Sequence, residues 1–397
     1  MHALRSERLS AVLLLFAAAI GLVLANSPAA ASVDAVASAH IGPAWLDLSI
    51  RHWIGDGLLA IFFFIVAVEL KRELAIGELN RPAAALAPAV AALGGVLAPI
   101  AVFLAFTGGS PSMVGWPVPT ATDIAFALGV LAIFGRYLPT RVRVFLLALA
   151  VLDDLIAIVL IALVFTHEVN LPALGLAVVT IGVFGLLSRM LRPRSPWLRA
   201  RRPVWPIALL LIALGIAAWV FTVWSGVHPT LAGVGLGLTM ARFPAGRAAH
   251  VLEPWSNALV LPLFACSAAL VVIPQVGTAH IDPAFWGIVV ALPVGKLIGI
   301  VAAGALVIRF TSHAGRTALT LGDLAVVGVL GGIGFTVSLL MNTLAFERSP
   351  ALVAQGTLGV LIGSGVAIAA SAVVVTLQSR HYRRLGATPG VGGALSR

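Results

Sequence analysis

Two adjacent carboxylates, Asp153 and Asp154, stand in the middle of FLLALAVLDDLIAIVLIALVF, residues 145–165, a run otherwise free of polar side chains. A helix of about 20 apolar residues crosses a bilayer core, and this run has that length. A carboxylate at mid-membrane depth costs at least about 2.5 kcal/mol on insertion scales, so a pair of them demands partners or a task. One cation lies at comparable depth, Lys296, within FWGIVVALPVGKLIGIVAAGALVI, residues 285–308. The acids deep enough to answer it are Asp153, Asp154 and Asp123. Carboxylates are hard oxygen donors suited to a small cation such as Na+ or Li+. Burial disfavours their charged form, so a proton competes with the cation for the same oxygens. The chemistry these residues point to is ion handling.

The elements that must hold them are membrane helices. Of 397 residues 60% are hydrophobic and 10% charged, a balance far from that of soluble domains. Mean hydropathy is +1.07. Twelve apolar spans are legible, near 9–25, 53–70, 83–106, 113–135, 144–165, 171–188, 204–223, 227–241, 255–273, 284–308, 323–343 and 354–377. Of the 25 Lys and Arg, 22 lie at the termini or after even-numbered spans, two after odd-numbered spans, and Lys296 inside one. The positive-inside rule then places both termini and the basic loops in the cytoplasm. The net charge of +10 is thereby accounted for without a nucleic-acid partner. Cys266 is the only cysteine, so no intrachain disulfide can form.

The fourth span, MVGWPVPTATDIAFALGVLAIFG, cannot be helical throughout, because Pro117 and Pro119 remove backbone donors and bias their predecessors away from helix. Thr120, Thr122 and Asp123 follow at once. Extended backbone at that depth needs protein or a wet cavity around it, and Asp123 is favoured against exposed helix N-termini. We read Asp123 as an electrostatic support rather than a direct cation ligand. The eleventh span carries Gly331, Gly332 and Gly334, each weakening the helix by about 1 kcal/mol, and reads as a second broken helix. Paired interruptions in two halves of a chain point to a transporter ion site.

Glu69, Arg72 and Glu73 close the second span at helical spacing. An interfacial charge network is the ordinary reading, with pH regulation the sharper alternative. MHALRSERLS and the apolar run after it imitate a signal peptide, but we read the segment as a retained first span. Residues 34–52 suit a loop or a short hairpin. His228 reads as structural, and Asp323 and Glu347 as solvated charges at span ends. The expected organisation is one transporter unit over residues 1–385 and a Gly-rich disordered tail over 386–397.

Taken together the motifs resemble the NhaA-type sodium/proton antiporters of bacteria. The pieces that carry the resemblance are ANSP at 25–28, DGLLAIFFFIVAVELKREL at 56–74, PTATDIAFALG at 119–129, VFLLALAVLDDLIAI at 144–158, SGVHPTLAG at 225–233, GKLIGI at 295–300 and VGVLGGIGFTVS at 327–338. The resemblance implies an all-α polytopic membrane protein of twelve helices, with inverted repeats formed by spans three to five and ten to twelve. Two broken helices, the fourth and eleventh spans, would cross at mid-membrane. It further implies a cation-binding pair at Asp153 and Asp154, a partner lysine at Lys296, and crossing-site electrostatics from Thr122 and Asp123. A pH-sensing cluster of Glu69, Arg72, Glu73, His250 and Glu253 is also implied. Departures fall at Ala249, where a glutamate is usual, at Glu253, where a second histidine is common, and at Leu297, where a proline usually follows the lysine. The implied partners are membrane lipid, the transported monovalent cations and a second copy of the chain in a homodimer.

The expected activity is exchange of Na+ or Li+ for H+ across the bacterial cell membrane, exporting sodium and regulating internal pH, without a cofactor. No P-loop signature is present. Successive helical side chains point about 100° apart, so we assign Asp154 as principal ligand and let Asp153 face both the site and Lys296. A proton released from Lys296 on cation binding would make the exchange electrogenic. The rivals are an intramembrane aspartic protease, whose carboxylates must converge on one water, a passive cation channel, and another secondary transporter.

Overall fold

The computed structural model describes residues 7–77, 82–165, 169–191, 205–273, 281–311 and 319–386. The tail 387–397 and the basic stretch 192–204 lie outside the described residues. In chain order the helices are α1 (Glu7–Ala25), α2 (Ala30–Ser38), α3 (Ile50–Ile76), α4 (Pro82–Thr107), α5 (Ile124–Phe134), α6 (Thr140–Val164), α7 (Leu171–Ser188), α8 (Trp205–Trp224), α9 (Thr230–Thr239), α10 (Arg242–Ala268), α11 (Pro283–Arg309), α12 (Leu321–Gly331), α13 (Phe335–Ala345) and α14 (Pro350–Arg384). Among the described residues eight helices are long and apolar enough to cross a membrane, eleven spans if each bent pair counts as one. Large apolar side chains such as Leu163, Leu209 and Ile212 point outward. The chain is a helical, multi-pass membrane protein.

Two bends shape the centre. Short helical turns over Pro111–Thr120 meet α5 at 48°, and α12 meets α13 at 49°. Each break leaves backbone groups without a helical partner, and the two breaks supply one another. The Asp123 amide donates to Ile333 O at 2.6 Å, and the Thr122 hydroxyl lies 2.8 Å from Gly331 O. Interrupted backbone is thus satisfied by protein, as a break in a membrane helix requires. Phe126 and Phe335, in the first turns of α5 and α13, pack with ring centroids 5.0 Å apart.

Lys296 is delivered by close packing of α4 against α11. A side chain at Gly94 or Gly299 would strike the backbone of the facing helix, so only glycine allows this approach. Just before Lys296 the helix widens over Ala291–Gly295 into a π turn around Pro293, which has no N–H to give.

Three expectations are revised. Residues 30–38 form α2, bent 112° from α1, and the segment after it closes a small antiparallel hairpin pairing His40 with Ser49 and Ile41 with Leu48. Residues 242–254, which fall between two apolar spans in the sequence, are the start of α10, which contains Pro254 and widens over Ser256–Val260 just before Pro262. Asp323 is not a solvated charge: it is fully buried, while Glu347 is exposed as expected.

Candidate functional site

The site is built from α6, α11 and the two breaks. Asp153 and Asp154 are 2% and 4% exposed and Lys296 is wholly buried. The Lys296 ammonium donates to Asp153 Oδ2 and to Thr122 Oγ1 at 3.1 Å. Thr122 Oγ1 in turn lies 2.5 Å from Asp153 Oδ2. A hydroxyl has one proton, so Thr122 donates either to that carboxylate or to Gly331 O, while accepting from Lys296. The second oxygen, Asp153 Oδ1, is buried without a hydrogen-bond partner. Asp154, one residue on and turned by about 100°, has no hydrogen-bond partner among the described residues.

Asp123 stands between two helix N-termini. Its Oδ1 accepts from Phe126 N at 3.1 Å as the N-cap of α5. Its Oδ2 accepts from Thr336 N at 3.2 Å and Thr336 Oγ1 at 2.7 Å, in the first turn of α13. All three donors to its side chain, and the positive ends of both helix dipoles, converge on one carboxylate. Thr336 escapes the sequence reading. Its only signal there is its place two residues after Gly334, where a helix restarting beyond the glycines exposes its first amides.

A second cluster lies on α3 and α10. Glu69, Arg72, Ala249, His250 and Glu253 line a cavity of about 240 Å³ together with Ile65, Val68 and Gly246. Glu73 sits beside it, 3.8 Å from Arg72. Lys71 donates to the carbonyls of Leu238 and Met240 at 2.6 Å and ties the end of α9 to α3. At the opposite end of α3, buried His228 brings Nε2 within 3.7 Å of Asp56 Oδ1 and Nδ1 within 2.7 Å of Thr230 Oγ1. The spacing of these residues in sequence does not announce that contact.

Comparison with known proteins shows the family. A family model described as Na+/H+ antiporter 1 matches residues 1–375. The Clavibacter michiganensis subsp. michiganensis protein named Na(+)/H(+) antiporter NhaA 2 is 55% identical over 389 residues, 97% of this chain and 93% of that one. The Na(+)/H(+) antiporter NhaA of Tropheryma whipplei strain Twist is 44% identical over 400 residues, covering both chains entirely. That of Mycolicibacterium smegmatis is 42% identical over 394 residues, 96% of this chain and 88% of the relative. With a matched region that contains both breaks, the Asp-Asp helix and the buried lysine, the chain belongs to the Na+/H+ antiporter 1 family of membrane transporters.

Proposed function

We propose that this chain exchanges Na+ or Li+ for H+ across the bacterial cell membrane, with sodium and the proton competing for the Asp153–Asp154 pair. The observation that carries the reading is the unequal state of two neighbouring carboxylates. Asp153 is engaged by Lys296 and Thr122, whereas Asp154 keeps its oxygens unengaged by any described donor. A cation entering from Asp154 also meets Asp153 Oδ1, a buried oxygen without a hydrogen-bond partner. Alkaline conditions strip the proton and admit sodium; acid restores the proton and expels it.

In this reading Lys296 and Asp153 form the second half of the device. Sodium drawn to both carboxylates weakens the hold of Asp153 on the ammonium, and a buried ammonium without its partner gives up a proton. Exchange then moves net charge. Thr122 holds Asp153 and Lys296 in register, and Asp123 neutralises the helix ends on which the site rests. Glu69, Arg72, Glu73, His250 and Glu253 form a pH-responsive surface that sets when exchange begins.

The architecture we propose has twelve spans, with α9 and its flanking loop as the eighth and the two bent pairs as the fourth and eleventh. The two breaks cross at mid-membrane within inverted repeats. Residues 1–385 act as one transporter unit, with the basic face and both termini in the cytoplasm. A homodimer through the His40–Ser49 hairpin, where Ile41 and Trp45 are exposed, and surrounding lipid are the proposed partners. Neither cofactor nor nucleic acid has a role.

The test is reconstitution into sealed vesicles with an acid interior and a pH-sensitive dye, adding sodium, lithium or potassium. Sodium should collapse the gradient in wild type and leave it intact in Asp154→Asn. Sodium flux without proton counterflow would replace the reading with a channel.

A further inference from the structure

Asp323 opens α12, and a carboxylate there has an ordinary explanation as part of a helix cap. Thr320 N donates to its Oδ2 at 3.0 Å and Asp323 N donates to Thr320 Oγ1 at 3.1 Å, a reciprocal capping box. That cap uses one acceptor position of a fully buried group. The remaining donors come from elsewhere. Gln378 Nε2 reaches Oδ1 at 3.1 Å from α14. The Tyr382 hydroxyl, also on α14, lies 3.1 Å from Oδ1 and 3.0 Å from Oδ2. Arg141, in the first turn of α6, places its guanidinium 3.5 Å from Oδ2 and donates to the Tyr382 hydroxyl at 2.8 Å. Close by, Tyr137 N donates to Ser379 Oγ at 3.2 Å. Three helices far apart in sequence meet on one carboxylate.

Two of those helices also reach the ion site, α6 near its middle and α12 at its C-terminal end. Along α6, Asp153 lies about 18 Å from Arg141 at 1.5 Å per residue. Along α12, Gly331 O lies beside the Thr122 hydroxyl, and Ile333 O just beyond it accepts from Asp123 N. A change of tilt between α6 and α12 about the Asp323 contact is therefore magnified where Asp153, Thr122 and Lys296 meet. α14 bridges both through Tyr382, so the tilt cannot change without altering these bonds.

We propose that Asp323, Arg141 and Tyr382 are positioning residues for the exchange reaction. They clamp α6 to α12 at the basic face, favour the conformer closed at that face, and release when the site opens to it. The proposal rests on the antiport reading given above. Exposure of the site to either side is an equilibrium, and the apparent affinity at a face falls with the fraction of molecules open to it. Loosening the clamp raises the fraction open at the basic face and lowers the fraction open at the other.

The experiment compares wild type with Tyr382→Phe, which removes only the bridging hydroxyl, and with Asp323→Asn, in everted and right-side-out vesicles. The expected result is an apparent KM for sodium that falls at the basic face and rises at the other, changing their ratio by about threefold or more. A lowered melting temperature with an unchanged ratio would make the cluster structural only and overturn the proposal. Hydrogen exchange gives a readout independent of transport. Amides at the start of α6 and of α12 should exchange faster in Tyr382→Phe at unchanged melting temperature, and identical exchange would also overturn it. Absence of sodium-driven proton movement in wild type would sink the antiport reading by itself, leaving hydrogen exchange to decide the clamp.

Discussion

Lys296 bonds to Asp153 and leaves Asp154, the next residue on the same helix, without a hydrogen-bond partner among the described residues. A single step of about 100° along the helix thereby divides a pair of identical side chains into an engaged and an available carboxylate.

Asp154→Asn should abolish sodium-driven proton movement, lowering initial rates by at least about two orders of magnitude. The amide preserves shape and removes a buried charge, so the variant should melt no earlier than wild type in detergent. Residual exchange at more than a tenth of the wild-type rate would move the principal ligand elsewhere.

Breaking the Lys296–Asp153 pair from one side should be harmful to stability. Lys296→Ala leaves Asp153 as a buried charge answered only by Thr122, a loss of about 3 to 5 kcal/mol. The double variant Asp153→Asn with Lys296→Ala, set beside Asp153→Asn alone, should recover part of it, because the unanswered buried charge is gone. Denaturant or thermal unfolding of the four proteins makes the cycle, and additive losses would deny the coupling. Wherever exchange survives in a Lys296 variant, it should no longer respond to membrane voltage.

Thr336→Val keeps the volume and the Thr336 amide but removes the hydroxyl donated to Asp123 at 2.7 Å. A hydrogen bond to a charged group contributes about 1.5 to 3 kcal/mol, and the loss should appear as a lower melting temperature. Exchange should weaken far less than in Asp154→Asn, because the pair that meets the cation is untouched. Equal loss in both would place Asp123 in direct contact with sodium.

Acidification should raise the apparent KM for sodium by about tenfold per pH unit in the range where a single proton blocks the pair, with little change in maximal rate. At the α3–α10 cavity, Glu253→Gln removes one negative charge facing Glu69, Arg72 and His250. A cavity that sets the onset of exchange should answer that lost charge with an onset at lower pH. A profile that shifts to higher pH, or does not move, would exclude that cavity from regulation.

The membrane class and the transporter family were legible in the residues themselves. Uninterrupted apolar runs have one physical use, and Asp153, Asp154 and Lys296 are too costly at that depth to be incidental. Pro117, Pro119 and the glycines at 331, 332 and 334 disclosed where helices fail, because such residues act on their own backbone. What stayed hidden depended on partners distant in sequence. Thr336 looked like any threonine until α13 met Asp123. Asp323 looked like a solvated span end until Arg141, Gln378 and Tyr382 closed over it. Residues 242–254 fell between two apolar spans because they carry Arg242, Arg247, His250 and Glu253, and only the structure shows them as the start of α10.

The sequence by itself determined that charge would be buried among membrane helices, and it named Asp153, Asp154 and Lys296 as those charges. The tertiary structure decided which carboxylate the lysine takes and which break satisfies which. Those outcomes rest on hydrogen bonds between atoms brought together only by packing, and no local spacing of residues encodes the partner across the bundle.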